Sequence, residues 1–194
     1  MRLIGLCGTH GSGKTTLIEA FEDKAVVVKT SISAIYKEKG LNPGLPMSLD
    51  QRLDIQDVIL ARLLQEWAAP FAENVGPGKV VVLTDRTPMD FIGYLLCEVS
   101  GYGELTPEQN TRIEEYVGKC LQISEMFDVI IHVPIGLPMV KREKIAAVDS
   151  IGYRLHLDMV LKGALTSHAT TFSLFGTDHD TRVSQVQSVI DAVS

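Results

Sequence analysis

At 194 residues the chain suits one domain with a sizeable core, and 45% hydrophobic against 22% charged residues is a globular balance. No apolar run reaches the ~18 residues that a membrane span needs, and the short apolar start is no signal peptide. The net charge of −6 argues against a nucleic-acid coat or a polybasic membrane binder. Cys7, Cys97 and Cys120 stand far apart in apolar segments with no C-x-x-C pattern, so they read as buried free thiols of a cytoplasmic protein rather than disulfides or zinc ligands.

In chain order, residues 2–7 read as a buried strand and residues 15–21 as a helix, with the glycine-rich run 8–15 between them. Residues 25–28 form a second strand and 31–39 a weak helix stopped at Gly40, and Asn42-Pro43-Gly44-Leu45-Pro46 is a rigid loop. Ser48 or Asp50 then caps a long helix whose stripe is Leu49, Leu53, Leu60, Leu63, Leu64 and Trp67, ended by Pro70 and Gly76-Pro77-Gly78. The β-branched run of residues 79–85 predicts a strand buried on both faces, as in a parallel sheet.

A helix follows over 88–99, and Thr106-Pro107-Glu108-Gln109 is a capping box for another that turns Ile113, Tyr116, Val117, Cys120 and Ile123 inward. Residues 127–133 are a fourth strand, 134–148 a basic loop rich in Pro and Gly, and 150–167 a helix started by Asp149 or Ser150. Residues 170–175 are a fifth strand, and a last helix capped by Thr177 or Asp178 carries Val183, Val186, Val189 and Ile190 on one face. Alternating strands and helices without a repeat predict a single α/β domain, 1–194, with a parallel sheet covered on both faces.

Gly8-Thr9-His10-Gly11-Ser12-Gly13-Lys14-Thr15 matches G-x-x-x-x-G-K-[ST] at every fixed position, between a strand and a helix. Glycines permit positive φ and close backbone approach, and successive N–H groups form an anion nest at the helix's positive dipole end. Gly8, Gly11, Ser12, Gly13, Lys14, Thr15 and Thr16 are therefore assigned to the phosphates of ATP, with Lys14 on the β- and γ-phosphates and the Thr15 hydroxyl on Mg²⁺. Asp85 ends the third strand, at the edge where parallel sheets bind ligands. Its carboxylate suits either holding Mg²⁺ through water or accepting a proton, and its bland alternative is a helix cap. Arg86 beside it suits a phosphate or hydroxyl, or else a surface ion pair. Lys141-Arg142-Glu143-Lys144 reads equally as a basic lid over phosphates and as a solvated turn, and Arg154 starts the next helix within reach of the same place. The histidines make no metal-like pair and carry no assigned chemistry.

GTHGSGKTT, TDRTPMDFIGYLL and VDSIGYRLHLDMVLKGAL after the basic loop together resemble the P-loop nucleoside and nucleotide kinases. The resemblance is nearest the nicotinamide riboside kinase-like branch, with thymidylate and deoxynucleoside kinases more distant and phage-encoded kinases in the same broad group. It implies the sheet order 2-3-1-4-5, transfer of the γ-phosphate of ATP, and Mg²⁺. It casts Asp85 as base or magnesium organiser, Arg86 as a substrate or phosphate contact, Arg142 as a lid arginine (with Lys144 or Arg154 as alternatives) and Arg182 as an adenine-side residue. The lid here reads KREKIAAVD where relatives more often carry Asp-Gly-x-Arg. The implied acceptor is a small molecule, a nucleoside or nucleotide; a homodimer is left open and no membrane partner is expected. Residues 31–72 would wall the acceptor side, with Arg52 and Gln56 either contacting it or, as preferred, lying on plain helix surface. Two other readings compete. One is a kinase for a hydroxymethylated base in DNA, disfavoured by the acidic balance. The other is an ATPase or switch without a small acceptor, which would suit a chain with an N-K-x-D guanine signature, absent here.

Overall fold

The computed structural model describes residues 1–43, 45–73, 81–99, 101–136 and 150–193. Among them run β1 (Arg2–Cys7), α1 (Lys14–Glu19), β2 (Val26–Val28), α2 (Ile32–Glu38), α3 (Leu49–Ala72), β3 (Val81–Thr84), α4 (Pro88–Val99), α5 (Pro107–Ser124), β4 (Val129–His132), α6 (Ile151–Leu165), β5 (Thr171–Ser173) and α7 (His179–Val193). The strands form one parallel sheet in the order β2-β3-β1-β4-β5, as the resemblance implied.

Period-two alternation splits the core into two layers. Leu3 and Cys7 of β1, Val82 of β3 and Ile130 of β4 face a large cluster completed by α2 to α6, with Trp67 and Phe127 edge to face, their ring centroids 5.1 Å apart. Ile4, Leu6, Val81, Leu83, Val129 and Ile131 face the other way, onto Leu17, Ile18 and Phe21 of the α1 region and Val186 and Ile190 of α7. The edge strands are less covered, β5 being exposed along its length.

The expected capping box forms, with Thr106 and Gln109 opening α5, and of the two candidate caps for α3 it is Ser48 that serves, in a second box with Gln51. One expectation fails locally. Pro70 does not end α3, which continues to Ala72 with Pro70 buried inside it. A proline so close to the carboxyl end removes a single N–H donor, and burying its ring offsets part of that loss. The three cysteines are buried and form no disulfide, as the sequence reading has it, and burial pushes the Cys120 thiol up to about 12. No helix among the described residues is long and apolar enough to cross a membrane.

Candidate functional site at the carboxyl edge of the sheet

Register positions the site. Gly5 of β1 lies beside Thr84 of β3, and Cys7 beside His132 of β4. The chain leaving β1 therefore passes between the ends of its two neighbours. The glycines of this loop serve two different needs. Gly11 and Gly13 adopt left-handed backbone, φ 71° and 96°, and Gly13 is the residue from which α1 starts. Gly8 serves instead by close approach, because a Cβ there would stand 2.4 Å from the Val133 carbonyl oxygen.

Lys14 opens α1 with its ammonium folded back under the loop, donating to the Gly8 carbonyl and, at 3.1 Å, to that of Thr9. The side chain is buried; burial lowers its pKa, and Asp90 works against the shift. Thr15 Oγ1 donates to Asp85 Oδ2 over 2.6 Å, which joins the phosphate loop to the end of β3. Asp85 is only 4% exposed, and its Oδ1 is buried with no hydrogen-bond partner among the described residues. Its carboxylate points at the loop rather than capping α4, so the cap alternative falls. Ser12 Oγ and Thr9 Oγ1 are also buried without partners among the described residues, and Thr16 is exposed on the first turn of α1. A hydroxyl and a carboxylate touching at one point, with a spare buried oxygen, make a hard-oxygen donor set that fits Mg²⁺.

Arg86 is half-buried, with Nε unpartnered among the described residues. Its charge lies near enough to Lys14 and Tyr94 to lower the pKa of both, though burial dominates each shift. Arg182 is buried and spends its guanidinium on main-chain carbonyls: Nε on Gly176 at 2.7 Å, Nη1 on Ser12 at 2.9 Å and Nη2 on Pro134 at 3.0 Å. Arg142, with Lys141 and Lys144, lies outside the described residues.

Sequence reasoning missed Asp90. It is fully buried, accepts from Gly8 N at 3.1 Å, Thr87 N at 2.9 Å and Thr87 Oγ1 at 2.8 Å, and stands 3.6 Å from Lys14 Nζ. The signal was available: Thr87-Pro88-Met89-Asp90 has capping-box spacing. Here, however, the threonine hydroxyl donates to the carboxylate instead of accepting from the helix.

The segment expected to wall an acceptor differs from expectation in its burial. Arg52 and Gln56 are buried, not plain surface. Arg52 Nη1 donates to the Tyr36 hydroxyl at 2.7 Å and its Nε pairs with Glu98 at 2.7 Å; Gln56 Oε1 accepts from the Tyr116 hydroxyl at 3.1 Å. Burial raises the Glu98 pKa despite Arg52. Arg154 is 7% exposed with Nε unpartnered among the described residues, as is the buried Tyr153 hydroxyl.

The architecture has solved counterparts. Deoxyadenosine kinase from M. mycoides, solved with dCMP and dCDP, superposes with a TM-score of 0.69 at 16% identity, over 98% of this chain and 99% of that one. Thymidylate kinase from Candida albicans gives 0.68 at 15% identity, over 98% and 91%. The NadR protein in complex with NR gives 0.65 at 14% identity, over 96% of this chain but 50% of that one. At such identities the likeness is one of fold. No curated protein matches the chain by sequence. The family model described as an AAA domain matches residues 3–122, which is more than half of the chain, and the protein belongs to that family.

Proposed function

We propose that the protein is an ATP-dependent kinase that transfers a γ-phosphate to a small hydroxyl- or phosphate-bearing acceptor, a nucleoside or nucleotide, in a cytoplasmic setting. The observation that carries this reading is the 2.6 Å contact between Thr15 and Asp85, which leaves one buried carboxylate oxygen with no hydrogen-bond partner among the described residues, beside a phosphate-loop nest. A switch or simple ATPase also sets an acid beside the hydroxyl of its phosphate loop, so the feature that favours a bound acceptor is the adjoining Arg86, half-buried with its Nε unpartnered among the described residues.

In this reading the main-chain N–H groups of Gly11 to Thr16 hold the triphosphate, and Lys14 turns from the Gly8 and Thr9 carbonyls to the β- and γ-phosphates. Thr15 and Asp85 would hold Mg²⁺, which when bound would neutralise charge on the phosphates. The free oxygen of Asp85 orients the acceptor hydroxyl and takes its proton, and Arg86 fixes the acceptor or the transferring group. Arg142 is kept as a lid contact on sequence grounds alone. Positioning and charge neutralisation supply the rate, so few side chains are required.

The test is a screen of nucleosides, nucleoside monophosphates and hydroxymethylated duplex DNA with ATP and Mg²⁺, read as the mass gain of one phosphoryl group. Transfer to a free nucleoside or nucleotide is expected, with loss of transfer in Lys14→Ala. Transfer confined to DNA, or ATP turnover indifferent to every acceptor, would overturn the reading.

A further inference from the structure

Arg182 has a second role open to it besides touching the nucleotide, and the hydrogen bonds favour that second role. Its guanidinium lies behind the phosphate loop, and three of its donors end on carbonyls of three separate segments: Ser12 in the loop, Pro134 just beyond β4, and Gly176 between β5 and α7. We infer that Arg182 is a positioning residue that fixes the phosphate loop in its anion-binding shape from behind, rather than a contact to the base.

The argument rests on the Ser12–Gly13 peptide. A trans peptide is planar, with its carbonyl and N–H pointing to opposite sides. Holding the Ser12 carbonyl on the guanidinium therefore turns the Gly13 N–H to the opposite side of the loop. Gly13 also sits at φ 96°, a conformation that a free glycine loop has no reason to keep, and Arg182 Nη1 holds the peptide next to it. The other two donors make the hold rigid. Pro134 follows Val133, whose carbonyl seats Gly8, so both ends of the loop are pinned to the same turn after β4. The Gly176 end is tight as well: a Cβ there would lie 2.6 Å from Thr181 Cγ2, which keeps this turn close against the start of α7 where Arg182 stands. Charge-assisted bonds of this kind are roughly twice as strong as neutral ones, and the buried positive charge adds to the potential that the nest presents.

This inference depends on the nucleotide reading of the loop, and the experiment separates the two. ATP and inorganic tripolyphosphate, each with Mg²⁺, are titrated calorimetrically into the full chain and into Arg182→Ala and Arg182→Lys. Tripolyphosphate has no base, so a residue acting through the loop must weaken both ligands by the same factor. The expected loss in Arg182→Ala is about tenfold or more for each. Arg182→Lys loses less than Arg182→Ala because it keeps a charged donor, but it still loses affinity because one ammonium cannot span three carbonyls. In turnover assays KM for ATP rises while kcat at saturating ATP changes by less than about threefold. Weakened ATP with unchanged tripolyphosphate means a base contact and overturns the inference, as does unchanged binding of both. Should Arg182→Ala fail to fold, Arg182→Lys carries the test, and wild-type binding of both ligands by that variant overturns the inference. Wild-type protein that binds neither ligand sinks the nucleotide reading itself.

Discussion

Two carboxylates stand at the phosphate loop, and their surroundings give them different work. Asp90 has its oxygens occupied by Gly8 N, Thr87 N and Thr87 Oγ1 and faces Lys14, with no exposure. Asp85 has one oxygen on Thr15 and one with no partner among the described residues. Asp90 is thus the structural acid and Asp85 the one with capacity to spare. Asp85→Asn is expected to lower kcat roughly hundredfold or more, the range for losing a positioned base, with a much smaller change in ATP affinity. Asp90→Ala leaves Lys14 buried without its acid; it is expected to cost about 3–5 kcal/mol and to lower the melting temperature by roughly 10 °C. Chemical denaturation and steady-state kinetics on the two variants check the division; equal effects on stability would refute it. The sequence made the loop readable because its chemistry is local, resting on consecutive backbone groups and fixed glycines. It could not show Asp90 reaching Gly8, a contact across 82 positions that exists only because the sheet places β1 beside β3. The same limit hid the burial of Arg52, since its partners Tyr36 and Glu98 sit on α2 and α4.

Elements were legible where the signal lies within one segment. The buried run of β1 and the stretch from Pro88 to Val99 coincide with the observed bounds, Thr106 caps its helix as its spacing predicts, and of Ser48 and Asp50 it is Ser48 that caps α3. The edge strands came out shorter than read, and so did β4 inside the sheet, because an apolar run extends past the residues that pair with a neighbouring strand. How helices meet depends on side chains far apart in sequence, and two mid-helix glycines show the difference. At Gly93 in α4, a Cβ would stand 2.5 Å from Leu161 Cδ2 and 3.0 Å from Leu157 Cδ1, both on α6. At Gly118 in α5, nothing among the described residues lies within 4 Å of the added atom. Alanine improves helix propensity at both by up to about 1 kcal/mol. At Gly93 overpacking of about 1–3 kcal/mol outweighs that gain. Urea unfolding should therefore show Gly93→Ala less stable than wild type and Gly118→Ala more stable. A Gly93→Ala variant as stable as wild type or more so would mean that α4 and α6 are packed less closely than described.

Across the whole molecule, alternation in the strands announced a sheet covered on both faces, whereas strand order is a matter of tertiary pairing and came only with the resemblance. The covering helices are tied to the sheet by polar links as well as apolar ones, among them the buried pair of Trp67 Nε1 with Thr84 Oγ1 and a second link made by His132. Its Nε2 meets Asp158 Oδ1 of α6 at 3.0 Å, and its Nδ1 meets Ser173 Oγ of β5 at 2.9 Å; Lys162 reaches the other Asp158 oxygen at 2.9 Å. An ionised carboxylate only accepts, so Nε2 carries the proton and, in the neutral ring, Nδ1 accepts from Ser173. Burial alone would raise the Asp158 pKa, but the hydrogen bonds from His132 and Lys162 outweigh it and hold the carboxyl below its usual range. A carboxyl depressed in the folded state stabilises the fold above its unfolded pKa, and loses that contribution as the pH falls through the folded value. Asp158→Asn keeps the shape and removes the charge. The stability gap between wild type and this variant should be full above about pH 5 and should shrink as the pH drops past roughly 4 toward the lower folded value. Thermal melts between neutral and strongly acid pH measure it. A gap that stays constant into the acid range would mean that the charge of Asp158 does not hold α6 to β4, and that packing against α4 alone keeps α6 in place.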